Sequence, residues 1–153
     1  MKIHKFLGYA ACPILISIFL YRCGPGEGNR QNREDYIKYN QYLVEGKRLY
    51  LLHCSNCHQE NGKGLGRLYP PLKDSDYLKN MDNLYKVVCS IKYGQSEVII
   101  VNGISYNQPM PANPWLTDLE IAEIITYVYS TWGENEELFT HQKTGRILDS
   151  CNH

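Results

Sequence analysis

The sequence predicts an all-α fold, and three observations carry that expectation. Apolar residues recur at three- and four-residue spacing over residues 39–53 and again from Thr117 to about Trp132. The second stretch opens with Thr117 and, three positions on, Glu120, the pairing of a capping box at a helix start. Between the two lie segments rich in Gly and Pro, which read as loops around one shorter helix.

The N-terminus stands apart from this pattern. Lys2, His4 and Lys5 precede an apolar run from Phe6 to Tyr21, interrupted noticeably only by Ser17. A basic start followed by an apolar run is the make-up of an export signal. The run is somewhat short for a membrane span of about 20 residues. Cys23 follows directly and resembles the lipidated cysteine of bacterial lipoproteins, although Arg22 stands where a small residue is expected. Three arrangements stay open: lipidation at Cys23, a retained anchor, and plain secretion. Residues 1–22 are therefore read as export signal or membrane anchor, and all three arrangements put the rest outside the cytoplasm. Residues 23–38, mostly Gly, Glu, Asn, Gln and Arg, are read as a flexible tether or a ragged terminus.

Residues 39–53 form the first expected helix. Leu43, Gly46, Leu49 and Tyr50 share one face. Gly46 costs that helix about 1 kcal/mol relative to alanine, and a second helix approaching closely would explain its presence. Gln59 to Leu72 contains Gly62, Gly64, Gly66, Pro70 and Pro71, so it is a loop. A shorter helix follows from about Asn83 to Ile91, with Gly94 as its stop. Residues 96–115 read as irregular, with a turn at Asn102-Gly103. In the helix after Thr117, Ile121, Ile124, Ile125 and Val128 make the apolar stripe, with Tyr127 beside it. Residues 133–153 form a C-terminal extension holding a last helix from Glu136, or from Thr140, to Asp149.

Cys54, Ser55, Asn56, Cys57 and His58 give the chemistry. This C-x-x-C-H spacing is the attachment signal for c-type haem. Two thiols three positions apart reach one edge of a porphyrin, and the adjacent imidazole holds the iron. C-x-x-C alone also serves thioredoxin-like and zinc sites. The second axial ligand is expected to be Met110, a neutral thioether between Pro109 and Pro111. Those prolines restrict the loop, so less entropy is lost on ordering it. Met1 opens the export signal, and Met81 lies in a polar stretch. Of the histidines His4, His53, His58, His141 and His153, only His58 follows the second cysteine.

Cys12 falls in the apolar run, Cys89 in the pattern of the middle helix, and Cys151 near the end. A buried thiol is the default for Cys89. Outside the cytoplasm a Cys89–Cys151 disulfide is allowed, but sequence does not bring the two together. The whole chain has a formal net charge of zero, which gives no case for nucleic acid. Past residue 23 it holds 13 basic and 16 acidic side chains. Residues 63–92 carry six bases (Lys63, Arg67, Lys73, Lys79, Lys86, Lys92) against three acids, and residues 118–137 carry six acids and no base. An acidic docking face on a partner is therefore expected.

Residues 39–132 resemble a single-haem class I cytochrome c. The resemblance rests on Gly46, Tyr50 and Cys54 at intervals of four, on CSNCH, on Pro70-Pro71-Leu72, on the YNQPMP segment (residues 106–111), and on LTDLEIAEIITYV (residues 116–128). It implies N- and C-terminal helices crossing around one covalently bound haem c, with the crossing near Gly46 and Tyr127. It also implies that the Pro70 carbonyl, or that of Pro71, fixes the His58 ring; Tyr106 and Asn107 are expected near the distal ligand, with Tyr106 read equally well as packing alone. An iron with both axial positions filled by protein suits one-electron transfer. The expected function is an exported, membrane-attached electron carrier between a respiratory donor and a terminal oxidase or reductase, not an enzyme. Two other readings are a peroxidase-like enzyme or gas sensor with a displaceable methionine, and a zinc module using Cys54, Cys57 and His58.

Overall fold

A computed structural model describes residues 27–151, and side chains from Arg30 onward. The export or anchor segment, Cys23 and the start of the expected tether lie outside the described residues. The chain divides into two units after Asp35, and the unit that begins at Tyr36 carries the fold. Among the described residues no helix is long and apolar enough to cross a membrane.

Helix α1 runs Glu27–His53, and a single turn, α2, follows at Ser55–His58. From Glu27 onward the residues of the expected tether fall within this helix. The sequence contains little to bury there, and Arg30 to Ile37 are indeed exposed. Poor burial does not forbid a helix. Extending one already nucleated by the buried part costs little per residue, and Gln31 Nε2 donates to Asp35 Oδ1 across one turn at 3.2 Å.

Next come a single-turn helix α3 (Asp76–Lys79), a 3-10 turn (Met81–Asn83) and α4 (Leu84–Tyr93). Ser75 caps α3 by accepting from Leu78 N–H, and Asn80 caps the 3-10 turn. Residues 96–115, expected to be irregular, contain an antiparallel hairpin of β1 (Ile99–Val101) and β2 (Ile104–Tyr106) around Asn102-Gly103. Helix α5 (Asp118–Trp132) has the full Thr117–Glu120 capping box and ends at Gly133. Helix α6 (His141–Asp149) starts from Thr140, the later of the two expected starts. Its cap explains the choice: Lys143 N–H donates to Thr140 Oγ1.

The first and closing helices cross at Gly46. A Cβ there would run into the Glu123 carbonyl and lie 2.8 Å from Tyr127 Cβ. One turn along, Tyr50, Tyr127 and Trp132 pack as an aromatic triad with ring centroids 5.1–5.7 Å apart. Tyr39 Oη donates to Ser130 Oγ at 3.0 Å farther back along the pair. Leu49, Ile121, Ile124, Ile125 and Val128 fill the core beneath.

The C-terminal extension packs on α5 and α4. Thr144 and Leu148 of α6 are buried, and Phe139 stacks 5.3 Å from Tyr129. Phe139 N–H donates to the buried Thr126 hydroxyl at 3.2 Å. Cys89 is not a free thiol: it forms a disulfide with Cys151, Cα atoms 5.9 Å apart and 62 positions apart in sequence. Closing a loop of that length stabilises a fold by about 2–4 kcal/mol.

Gly46→Ala separates two effects of opposite sign. Helix propensity alone would stabilise α1 by about 1 kcal/mol. Overpacking against the α5 backbone costs about 1–3 kcal/mol or more. A fall in the thermal melting midpoint is expected; an unchanged or raised midpoint would mean the helices do not touch here.

Candidate cofactor site

The end of α1 delivers the motif to the core. Cys54 N–H continues the helical ladder to the Tyr50 carbonyl at 2.9 Å, and α2 then turns Cys57 and His58 back on Cys54 through two bonds to its carbonyl. Cys54 and Cys57 are free thiols, each half-buried. Burial, with Cys57 close by, pushes the Cys54 thiol up to about 12, so it stays protonated at neutral pH.

The His58 ring is fixed by the loop that follows. Its Nδ1 lies 3.0 Å from the Pro70 carbonyl oxygen. A carbonyl only accepts, so the proton sits on Nδ1 and Nε2 keeps its lone pair. Burial lowers the ring's proton affinity, against the opposing pull of that carbonyl, and the imidazole is neutral at pH 7. The loop reaches this position because its backbone folds tightly on itself. Leu72 N–H and Lys73 N–H both donate to the Gly62 carbonyl. Gly64, at φ +66°, lies so close to the chain that an added Cβ would come 2.7 Å from the Pro70 oxygen. Tyr50 Oη ties the same loop to α1 by donating to the Gln59 carbonyl at 2.6 Å.

One cleft gathers these groups. It is partly open to solvent. Cys54, Cys57, His58, Pro70 and Met110 all line it. The rest of the wall is mostly apolar: Leu72, Leu78, Val87 and Ile91, the hairpin's Ile99 and Val101, and Ile124, Ile125 and Val128 of α5. Among the described methionines, Met110 lines the cleft and Met81 does not. Met81 instead packs on the core, with Asn135 Nδ2 donating to its sulfur at 3.4 Å.

Two residues expected near the distal ligand part company. Tyr106 is buried in the cleft wall and donates from Oη to the Gly66 carbonyl at 3.3 Å, whereas Asn107 is exposed and does not line it. Tyr69, Tyr77, Gln95 and Gln108 also line the cleft and were missed by sequence reasoning. The hairpin was missed too, although β-branched runs on both sides of Asn102-Gly103 are a hairpin signal.

The donors fit a haem: two free thiols, a neutral imidazole with one nitrogen available and a thioether share one apolar cleft. A metal cluster built from side chains alone fits less well. Among the described residues no three His, Cys, Asp or Glu side chains are grouped to hold an ion.

Comparison with known proteins agrees. The sequence model of the cytochrome c family matches residues 43–132. Cytochrome c-552 of Thermus thermophilus is 29% identical over 97 residues, which is 62% of this chain and 73% of that protein. A second cytochrome c-552, from a defined strain of the same species, is 29% identical over 97 residues, 62% of this chain and 65% of that protein. The cytochrome c subunit of a quinone alcohol dehydrogenase from Gluconacetobacter polyoxogenes is 22% identical over 107 residues, 61% of this chain and only 20% of that subunit. The chain belongs to the cytochrome c family, electron-transfer proteins with covalently bound haem c, and its mostly helical architecture is the class I cytochrome c fold.

Proposed function

We propose that the chain carries one haem c, joined through Cys54 and Cys57 and held axially by His58 and Met110. It passes single electrons between a respiratory donor and a terminal oxidase or reductase. The observation that carries this reading is the meeting of all four side chains in one cleft. The haem, when bound, supplies an iron that changes oxidation state by one electron. The chain's own residues do the rest. Pro70 fixes the tautomer and orientation of His58 and raises its basicity as a ligand. Met110 offers a neutral sulfur that favours reduced iron. The aliphatic wall would lower the polarity around the haem. A haem held by both His58 and Met110 would leave no position for a substrate or a gas, which favours a carrier over a peroxidase or sensor. A single C-x-x-C-H supports a single haem.

The basic start and apolar run of residues 1–21, followed by Cys23, support a location outside the cytoplasm with attachment to a membrane. One relative is the cytochrome c subunit of a quinone alcohol dehydrogenase, which supports redox proteins as partners. The docking bases are fewer than the six in residues 63–92. Lys79 pairs with Glu134 at 2.5 Å, and Lys92 donates to the Pro114 and Leu116 carbonyls. Lys63, Arg67 and Lys73 are exposed beside the loop that lines the cleft, with Leu65 and Leu68 exposed among them. An acidic face on the partner fits this surface.

Oxidised holoprotein should show the weak near-infrared band of thioether-to-iron coordination, and Met110→Ala should abolish it. A band that survives the substitution would assign the wrong sulfur. With an acidic redox partner, the bimolecular transfer rate should fall as salt rises, and fall again in Lys63→Gln and Lys73→Gln but not in Lys79→Gln. A rate flat in salt and equal in all three would leave apolar contacts as the docking surface.

A further inference from the structure

Met110 is held from outside its own loop. Its backbone pairs reciprocally with Gln95: Gln95 N–H donates to the Met110 carbonyl at 2.9 Å, and Met110 N–H donates back at 2.8 Å. Gln95 follows Gly94, the residue that ends α4. Gly94 has φ +81°, and an added Cβ would lie 2.9 Å from the Met110 oxygen and 3.0 Å from Ala112 N. The chain carrying the thioether therefore lies directly on that glycine. Beyond it the stitching continues. Asn113 donates from both its backbone N–H and Nδ2 to the Ile91 carbonyl, at 3.2 and 3.1 Å. Lys92 Nζ donates to the Pro114 and Leu116 carbonyls at 3.0 and 2.5 Å. Where the Met110 segment sits is thus decided by where α4 sits.

Helix α4 has ten residues, too few to be stable alone in water. One side of it, through Val87 and Ile91, lines the cleft. It also packs on α5 and on the C-terminal extension. Cys89 is joined to Cys151, and Tyr85 Oη donates to the Ser150 carbonyl at 2.7 Å. The extension is itself tied down where it begins, by Lys79–Glu134 and by Asn135 on Met81. A covalent link and a chain of short contacts run from the C-terminus through α4 to the backbone of Met110.

We propose that the extension, through the Cys89–Cys151 disulfide, is a brace that positions α4 and thereby keeps the Met110 sulfur from leaving its ligating place. The proposal rests on the reading of Met110 as the axial ligand. A thioether is a weak ligand, and its off-state is a minor population that a mobile α4 would enlarge. An added ligand that binds the off-state reports that population directly, because its apparent Kd scales inversely with it.

The test is imidazole titration of the oxidised holoprotein, read at the near-infrared thioether band and set beside the thermal midpoint. The variants are Cys89→Ser/Cys151→Ser, Gly94→Ala and Tyr39→Phe. The double cysteine variant should keep the band without imidazole, yet bind imidazole about tenfold or more tightly. Gly94→Ala, which strikes the link itself, should do the same. Tyr39→Phe removes only the Ser130 contact, away from the cleft and from α4, and should leave imidazole affinity unchanged. Should the double variant fail to retain haem, Tyr85→Phe removes only the Ser150 contact and should shift affinity the same way by less. Imidazole affinity unchanged in the double variant, or raised equally in Tyr39→Phe, overturns the brace. A wild type without the band overturns the axial reading, and the brace with it.

Discussion

The close approach of α1 and α5 at Gly46 is the constraint on which the site depends. Because no side chain separates the helices there, the Glu123 carbonyl and the Tyr127 Cβ sit against the glycine. The next turns of both helices then converge. Cys54 follows the end of α1 two turns past Gly46, and α5 presents Ile124, Ile125 and Val128 to the cleft. Thiols and apolar wall are thus brought to one place by a single backbone contact. The aromatic triad of Tyr50, Tyr127 and Trp132 locks the angle, and Tyr50 extends the lock to the following loop through its bond to Gln59. Trp132 also packs on that loop, since a Cβ on Gly62 would come 2.6 Å from its ring.

From that frame the polar parts follow with few free choices. The loop leaving His58 is tied back at Gly62 and folded close at Gly64, so the Pro70 carbonyl arrives at Nδ1. A buried imidazole without an acceptor would be costly and free to rotate, and one hydrogen bond answers both. On the Met110 side the same economy uses backbone instead of side chain. Gln95 and Met110 satisfy each other's amide and carbonyl groups in a stretch where Pro109 and Pro111 have no N–H to offer.

What is legible in the sequence is local. C-x-x-C-H, the Thr117–Glu120 box and the glycine inside an apolar helical face each declare themselves within a few residues. Met110 stands out by its flanking prolines, but its hold on the fold does not, because a backbone pair with Gln95 leaves no side-chain signature. The Cys89–Cys151 bond spans 62 positions, and nothing local announces that the extension folds back so far. Lys79 reads as a docking base in sequence, yet its partner is Glu134, far along the chain. Helix α1 is longer than its apolar pattern suggests, because polar composition signals lack of burial and not lack of structure. The hairpin is different in kind: Val98 to Val101, Asn102-Gly103 and Ile104 to Tyr106 carry the full pattern, of which the turn alone was expected.

The central claim is that the cleft between His58 and Met110 is built for a haem attached to this chain by two thioether bonds. Proteolysis of the protein purified after export, followed by mass analysis of the peptide containing Cys54 and Cys57, tests it most directly. The account predicts that this peptide carries haem through acid-acetone extraction and offers no thiol to alkylation. A peptide of unmodified mass, alkylated at both cysteines, would contradict it.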